Sequence, residues 1–174
     1  VSPYADTAAD PRATALRLAS LHRLVDAHED PPRLIVASVR SLLRRVIAPA
    51  AFLSLCTRWS RGDLLDREEA AATLGRAGYT RADVVEDPGT YAVRGGVIDV
   101  FVPSLRFPVR IELFGDEIER MRLFDPETQR GLRPVEQCPI HPVRETVPTI
   151  PGPLRARVLA LADASETPSS KSRQ

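Results

Sequence analysis

Residues 91–124, "YAVRGGVIDVFVPSLRFPVRIELFGDEIERMRLF", decide the fold. The stretch alternates apolar and polar residues and breaks twice at two-residue sites, Gly95-Gly96 and Gly115-Asp116. Pairs of this type between alternating runs form primed hairpin turns, because glycine reaches positive φ without a Cβ penalty. In "PVRIELF", Val109, Ile111 and Leu113 share one face and Arg110, Glu112 and Phe114 the other. In "EIERMRLF", Met121 and Leu123 share a face, with Arg120 and Arg122 opposite. The spacing predicts an antiparallel sheet with an apolar side and an arginine-rich side.

Working outward, Asp66 and Glu69 form a capping box ahead of a short helix over 67–77. Its Ala70, Leu74 and Ala77 line one face, and Gly78 supplies a left-handed stop. Asp87-Pro88-Gly89 fits a type II turn. Residues 80–144 therefore read as strands and tight turns with that helix lying on the apolar side, an α+β module. The Arg/Glu side then faces water. It carries Arg94, Arg110, Glu112, Arg120 and Arg122, with Phe101 or Phe114 among them. Two readings fit this face. One is a solvated surface with cross-strand ion pairs of roughly 0.2–1 kcal/mol each. The other is a docking surface, since arginine and aromatic residues dominate interface hot spots. Composition does not choose between them.

The N-terminal third has a different texture. Residues 1–10 are polar and read as loop. Asp10-Pro11 starts a helix that carries Leu18, Leu21 and Val25 and runs to about His28. "RLIVAS" (33–38) suits a strand covered on both faces, as in a parallel sheet. Ser38 caps a following helix with Leu42, Leu43 and Val46 on one stripe, Arg44 and Arg45 in its last turn, and Pro49 as its stop. "AFLSLCTRW" (51–59) reads as extended. At the other end, 148–153 reads as a linker, 153–164 as a helix and the rest as a polar tail. The expected division is a partial α/β unit over 1–60, the α+β module over 61–146, and a linker with the start of a second part over 147–174. Val1 in place of Met, and the stop at Gln174, are read as marks of an excised piece.

The 174 residues carry 24 Lys+Arg against 23 Asp+Glu, a net charge of +1 that argues against nucleic acid as the main partner. Cys56 and Cys138 lack metal-ligand spacing and read as thiols of a reducing cytoplasm. No P-loop is present, His22, His28 and His141 follow no metalloprotease spacing, and no nucleophile triad assembles. The expectation is a cytoplasmic chain with no catalytic residues, no metal and no cofactor.

A resemblance goes further. Gly78-Tyr79, Arg81, Gly89, Arg94-Gly95, Asp99, Phe101, Pro103, Arg110, Glu112, Phe114, Asp116-Glu117-Ile118, Phe124-Asp125 and Gln129-Arg130 follow the pattern of one family. The run 78–132 resembles the UvrB-homologous region of the bacterial transcription-repair coupling factors (Mfd), and the flanks resemble its first α/β domain. The resemblance implies a catalytically inert inserted domain that binds the damage sensor UvrA through its exposed sheet face. It implies Arg94, Asp99, Phe101, Arg110 and Glu112 as first candidates for that contact, with Arg81, Arg120 and Arg122 second. Asp99 and Phe101 keep another reading, as a cross-strand partner and a core residue. The parent family is an ATP-driven translocase acting on RNA polymerase and double-stranded DNA through parts absent here. The alternative is a fragment of a UvrB-like DNA-binding, helicase-type repair protein.

Overall fold

A computed structural model describes residues 10–26, 32–43 and 46–145. Helix α1 (Pro11–Val25) starts as its sequence dictates: Asp10 accepts a hydrogen bond from the Arg12 amide, and Pro11 occupies the first turn. Two short helices follow, α2 (Val39–Leu42), capped by Ser38, and α3 (Pro49–Leu53). Strand β1 (Thr57–Ser60) leads to α4 (Arg67–Arg76), where Asp66 accepts from the amides of Glu68 and Glu69.

The sheet then forms from β2 (Thr80–Arg81), β3 (Thr90–Arg94), β4 (Val97–Val100), β5 (Val109–Phe114), β6 (Glu117–Phe124) and β7 (Gly131–Pro134), in sequence order. Strand β8 (Gln137–Ile140) returns to pair with β1 in a separate two-stranded sheet. The α+β class holds. The predicted hairpins hold as well: Arg94 pairs with Val97 across Gly95-Gly96, and Phe114 with Glu117 across Gly115-Asp116. Gly95 and Gly115 have φ of 55° and 64°. Gly96 is needed for space instead, because a Cβ there would lie 3.0 Å from the Leu113 carbonyl oxygen. That oxygen is backbone and cannot swing aside. Gly96→Ala is expected to lower stability by roughly 1–3 kcal/mol; an unchanged urea midpoint would refute this.

One strand departs from the meander. β2 runs parallel to β3, which no tight turn can connect. The connection over 82–89 leaves the sheet plane and ends in the Asp87-Pro88-Gly89 turn, with Gly89 at φ 86°.

The main core lies where alternation put it. Ile98, Val100, Val109, Ile111 and Met121 are buried together with Ala70, Leu74 and Ala77. The Tyr91 hydroxyl reaches the Ala71 carbonyl at 3.4 Å, tying α4 to β3. Helix α1 docks on the β1/β8 side. Arg17 pairs with Glu145, Arg58 lies 2.5 Å from Asp26, and the His22 and His141 rings are 5.0 Å apart.

Four expectations for the N-terminal third fail. Residues 33–38 form no strand, and Leu34 and Val36 are 80% and 89% exposed. A strand needs a hydrogen-bonding neighbour, and none of the described strands pairs with this segment. Pro49 opens α3 rather than closing the helix before it, and 51–53 belong to α3 rather than to an extended segment. The proposed stripe of Leu42, Leu43 and Val46 faces solvent along its length. The expectations for residues 1–9, His28, Arg44, Arg45 and 146–174 lie outside the described residues.

Candidate functional site: the arginine face of the sheet

The strand register orders the face opposite α4 into two cross-strand rows. Ala92, Asp99, Arg110 and Arg122 form one, and Arg94, Val97, Glu112 and Arg120 the other. Arg94, Arg120 and Arg122 are exposed, as is Phe114 at 79%. Arg122 pairs with Glu112. Among the described residues, neither Arg94 nor Arg120 has a side-chain hydrogen bond or ion pair. Arg81 lies on β2, at the far edge of the sheet from β6.

Arg110 and Asp99 sit differently. Arg110 Nε and Nη2 donate to the two Asp99 carboxylate oxygens, both at 2.7 Å, a bidentate pair with side chains 21% and 8% exposed. The Asp99 hydrogen bond raises the Arg110 pKa further above its ordinary value, against a smaller opposing effect of burial. The guanidinium carbon stands 4.5 Å from the Phe124 ring centroid. Gln129 closes a third side: its Oε1 accepts from Arg110 Nη2 at 3.2 Å, and its Nε2 donates to the Pro126 carbonyl at 2.7 Å. Gln129 is held at φ 59°, by a turn in which Asp125 accepts from the Glu127 and Thr128 amides. Those bonds, the Thr128 amide first, hold the Asp125 carboxyl below its usual range.

This half of the face is therefore covered. Val85, Ala92, Phe101 and Phe124 make a second small core over it, with Phe101 only 6% exposed. Val85 arrives on the 82–89 crossover, and Phe124 on the end of β6. Sequence alternation found the side of the sheet but not this cover. The structure brings Arg94, Glu112, Arg120 and Arg122 together at the surface. It places Asp99 and Phe101 inside, and Arg110 between the two.

Residues 58–145 match the family model described as the UvrB interaction domain. The chain belongs to the UvrB interaction domain family. Among its relatives is a transcription-repair-coupling factor of Myxococcus xanthus, 38% identical over 176 residues, covering 100% of this chain and 14% of that protein. The transcription-repair-coupling factor of Escherichia coli (strain K12) is 32% identical, over 83% of this chain and 12% of that protein. UvrABC system protein B of Colwellia psychrerythraea is 33% identical, over 79% of this chain and 20% of that protein. The chain spans a fifth or less of the length of these relatives. Both kinds of relative agree with the resemblance carried by residues 78–132. In this UvrB interaction domain, no helix among the described residues is long and apolar enough to cross a membrane.

Proposed function

We propose that this chain is the UvrA-binding module of a transcription-repair coupling factor, with residues 61–146 as the binding domain. Its task is to recruit nucleotide excision repair to stalled RNA polymerase, and it binds without catalysing. Polymerase and double-stranded DNA are engaged by other parts of the parent protein. The observation that supports this reading best is the pair of exposed arginines, Arg94 and Arg120, which have no partner among the described residues, beside the exposed Phe114. A guanidinium with open donors on a sheet surface binds a partner carboxylate bidentately, and the aromatic ring supplies a desolvating anchor. Asp99 and Phe101 act from below, by holding Arg110 and the sheet in place.

Arg94→Glu with Arg120→Glu is expected to weaken UvrA binding about 10-fold or more, equivalent to about 1.4 kcal/mol, while the melting temperature stays put. The test is titration calorimetry of wild type and double variant against UvrA. Affinity unchanged by the double reversal would remove this face from the interface.

A further inference from the structure

We propose that a groove along β6 and β7 is a slot for an extended acidic segment of the partner, enlarging the arginine surface beyond β3–β6. The inference rests on the UvrA-binding reading for the identity of that partner. The groove encloses about 430 Å³ and is lined by Arg61, Arg120, Arg122, Leu132, Arg133 and Pro134, among others. Four arginines line it, against Glu136 as its single carboxylate.

Their charges are unevenly answered. Arg122 faces Glu112. Arg61 donates Nε to the Glu119 carbonyl at 3.1 Å and stands 3.9 Å from Glu136. Arg120 and Arg133 have no side-chain hydrogen bond or ion pair among the described residues. A carboxylate-bearing ligand would meet two free guanidinium forks and two more that can share.

The floor adds shape. All four residues of β7 are exposed, and Leu132, 49% exposed, and Pro134 give it an apolar strip. Gly131 has no Cβ, so the Arg122 stem lies across β7; a Cβ there would come within 3.2 Å of Arg122 Cδ. Pro134 has no amide hydrogen to extend a backbone ladder, and so favours recognition by side chains over strand addition. Nucleic acid fits less well. A phosphate backbone needs a continuous basic track, whereas Glu136 interrupts this one and Glu112 beside it already holds Arg122. Carboxylates along an extended segment, with apolar side chains between them, would complement both the arginines and the apolar strip of Leu132 and Pro134.

The test compares three variants of the whole chain against UvrA: Arg61→Glu with Arg133→Glu, Leu132→Asp alone, and Arg94→Glu with Arg120→Glu. Leu132→Asp guards against misfolding of the first, because Leu132 is half exposed at the surface of the edge strand and lies outside the buried core clusters. The expected result is roughly 10-fold weaker binding for each groove variant, with unchanged melting temperature. A synthetic decapeptide of alternating Glu and Leu should compete with UvrA, and its Lys-Leu counterpart should not. If the groove variants stay within about twofold of wild type while Arg94→Glu/Arg120→Glu weakens binding, the slot is refuted and the UvrA reading stands. If none of the three changes affinity, that reading falls and the slot with it. Preferential binding of a duplex oligonucleotide, or a dimer dissolved by Arg133→Glu in sedimentation, would overturn the slot in favour of DNA or a second copy.

Discussion

Arg110→Glu is expected to destabilise the module by about 3–5 kcal/mol, a large share of the roughly 5–15 kcal/mol that holds a domain of this kind together. Arg110 and Asp99 are direct cross-strand neighbours on β5 and β4, and the substitution sets two carboxylates against each other there. Both bidentate bonds are lost, and Asp99, with only 8% of its side chain exposed, is left buried without its partner. The cation over the Phe124 ring goes too, as do the donors to Gln129. The 21% exposure of the Arg110 side chain screens part of this and places the estimate at the lower end of the range. Replacing both partners, as Asp99→Leu with Arg110→Leu, should recover much of the loss, because a buried ion pair contributes little against a well-packed apolar substitute. Urea denaturation of the three proteins checks both statements. A fall of less than about 1 kcal/mol for Arg110→Glu would mean that the pair is not structural. It follows that lost partner binding in Arg110→Glu would report unfolding as readily as a lost contact, which is why Arg94 and Arg120 carry the binding test.

The different standing of Arg110 and Arg94 marks the boundary of what the sequence could convey. Alternation of period two is a local property, so it assigned Val109 to Phe114 on β5 and Arg120 to Leu123 on β6 to the correct faces, but not Ile118, which a bulge in the β5–β6 register turns into the core beside Leu113. Turn glycines and the Asp66 cap are also local, and they fixed the hairpins and α4. What lies over a face is a long-range property. Val85 and Phe124 meet above Ala92 and Phe101 because of the parallel β2–β3 crossover, and no periodicity announces a two-residue strand. The bond from Arg110 to Gln129 links positions 19 residues apart through a left-handed residue that is not glycine. Pro49 shows a different limit. Proline suits the first turn of a helix as well as the break after one, so the residue alone could not assign the direction. In 33–38, apolar content signalled two-sided cover, but a strand exists only where another strand offers its hydrogen bonds. The β1–β8 pairing joins Thr57 to Ile140, a separation at which neither segment hints at the other.

His141 supplies the second large effect, and its direction is set by burial. The side chain is 0% exposed. Nδ1 lies 3.1 Å from the Pro142 carbonyl oxygen, and Nε2 lies 3.1 Å from Ser104 Oγ. Burial pushes its pKa down from 6.5 to about 4, with a smaller push in the same direction from His22 and an opposing one from the Pro142 carbonyl. The titratable groups that face it are the His22 ring and the Tyr79 hydroxyl, which hydrogen-bonds the His141 backbone; His22 in turn lies 3.8 Å from Asp26, and Asp26 pairs with Arg58 on β1. Since the folded value is the lower one, the unfolded chain takes up the proton first as pH falls. The neutral imidazole's contribution is therefore complete above about pH 6.5 and lost progressively towards pH 4, by roughly 3 kcal/mol in all. His141→Gln keeps a donor and an acceptor but cannot titrate. Its stability should start below that of wild type at pH 7, and the difference should shrink or reverse by pH 4, whatever the other groups contribute to both proteins. Denaturation curves at half-unit pH steps would reveal this, and a difference constant to within about 0.5 kcal/mol across that window would show that His141 gains its proton without cost to the fold.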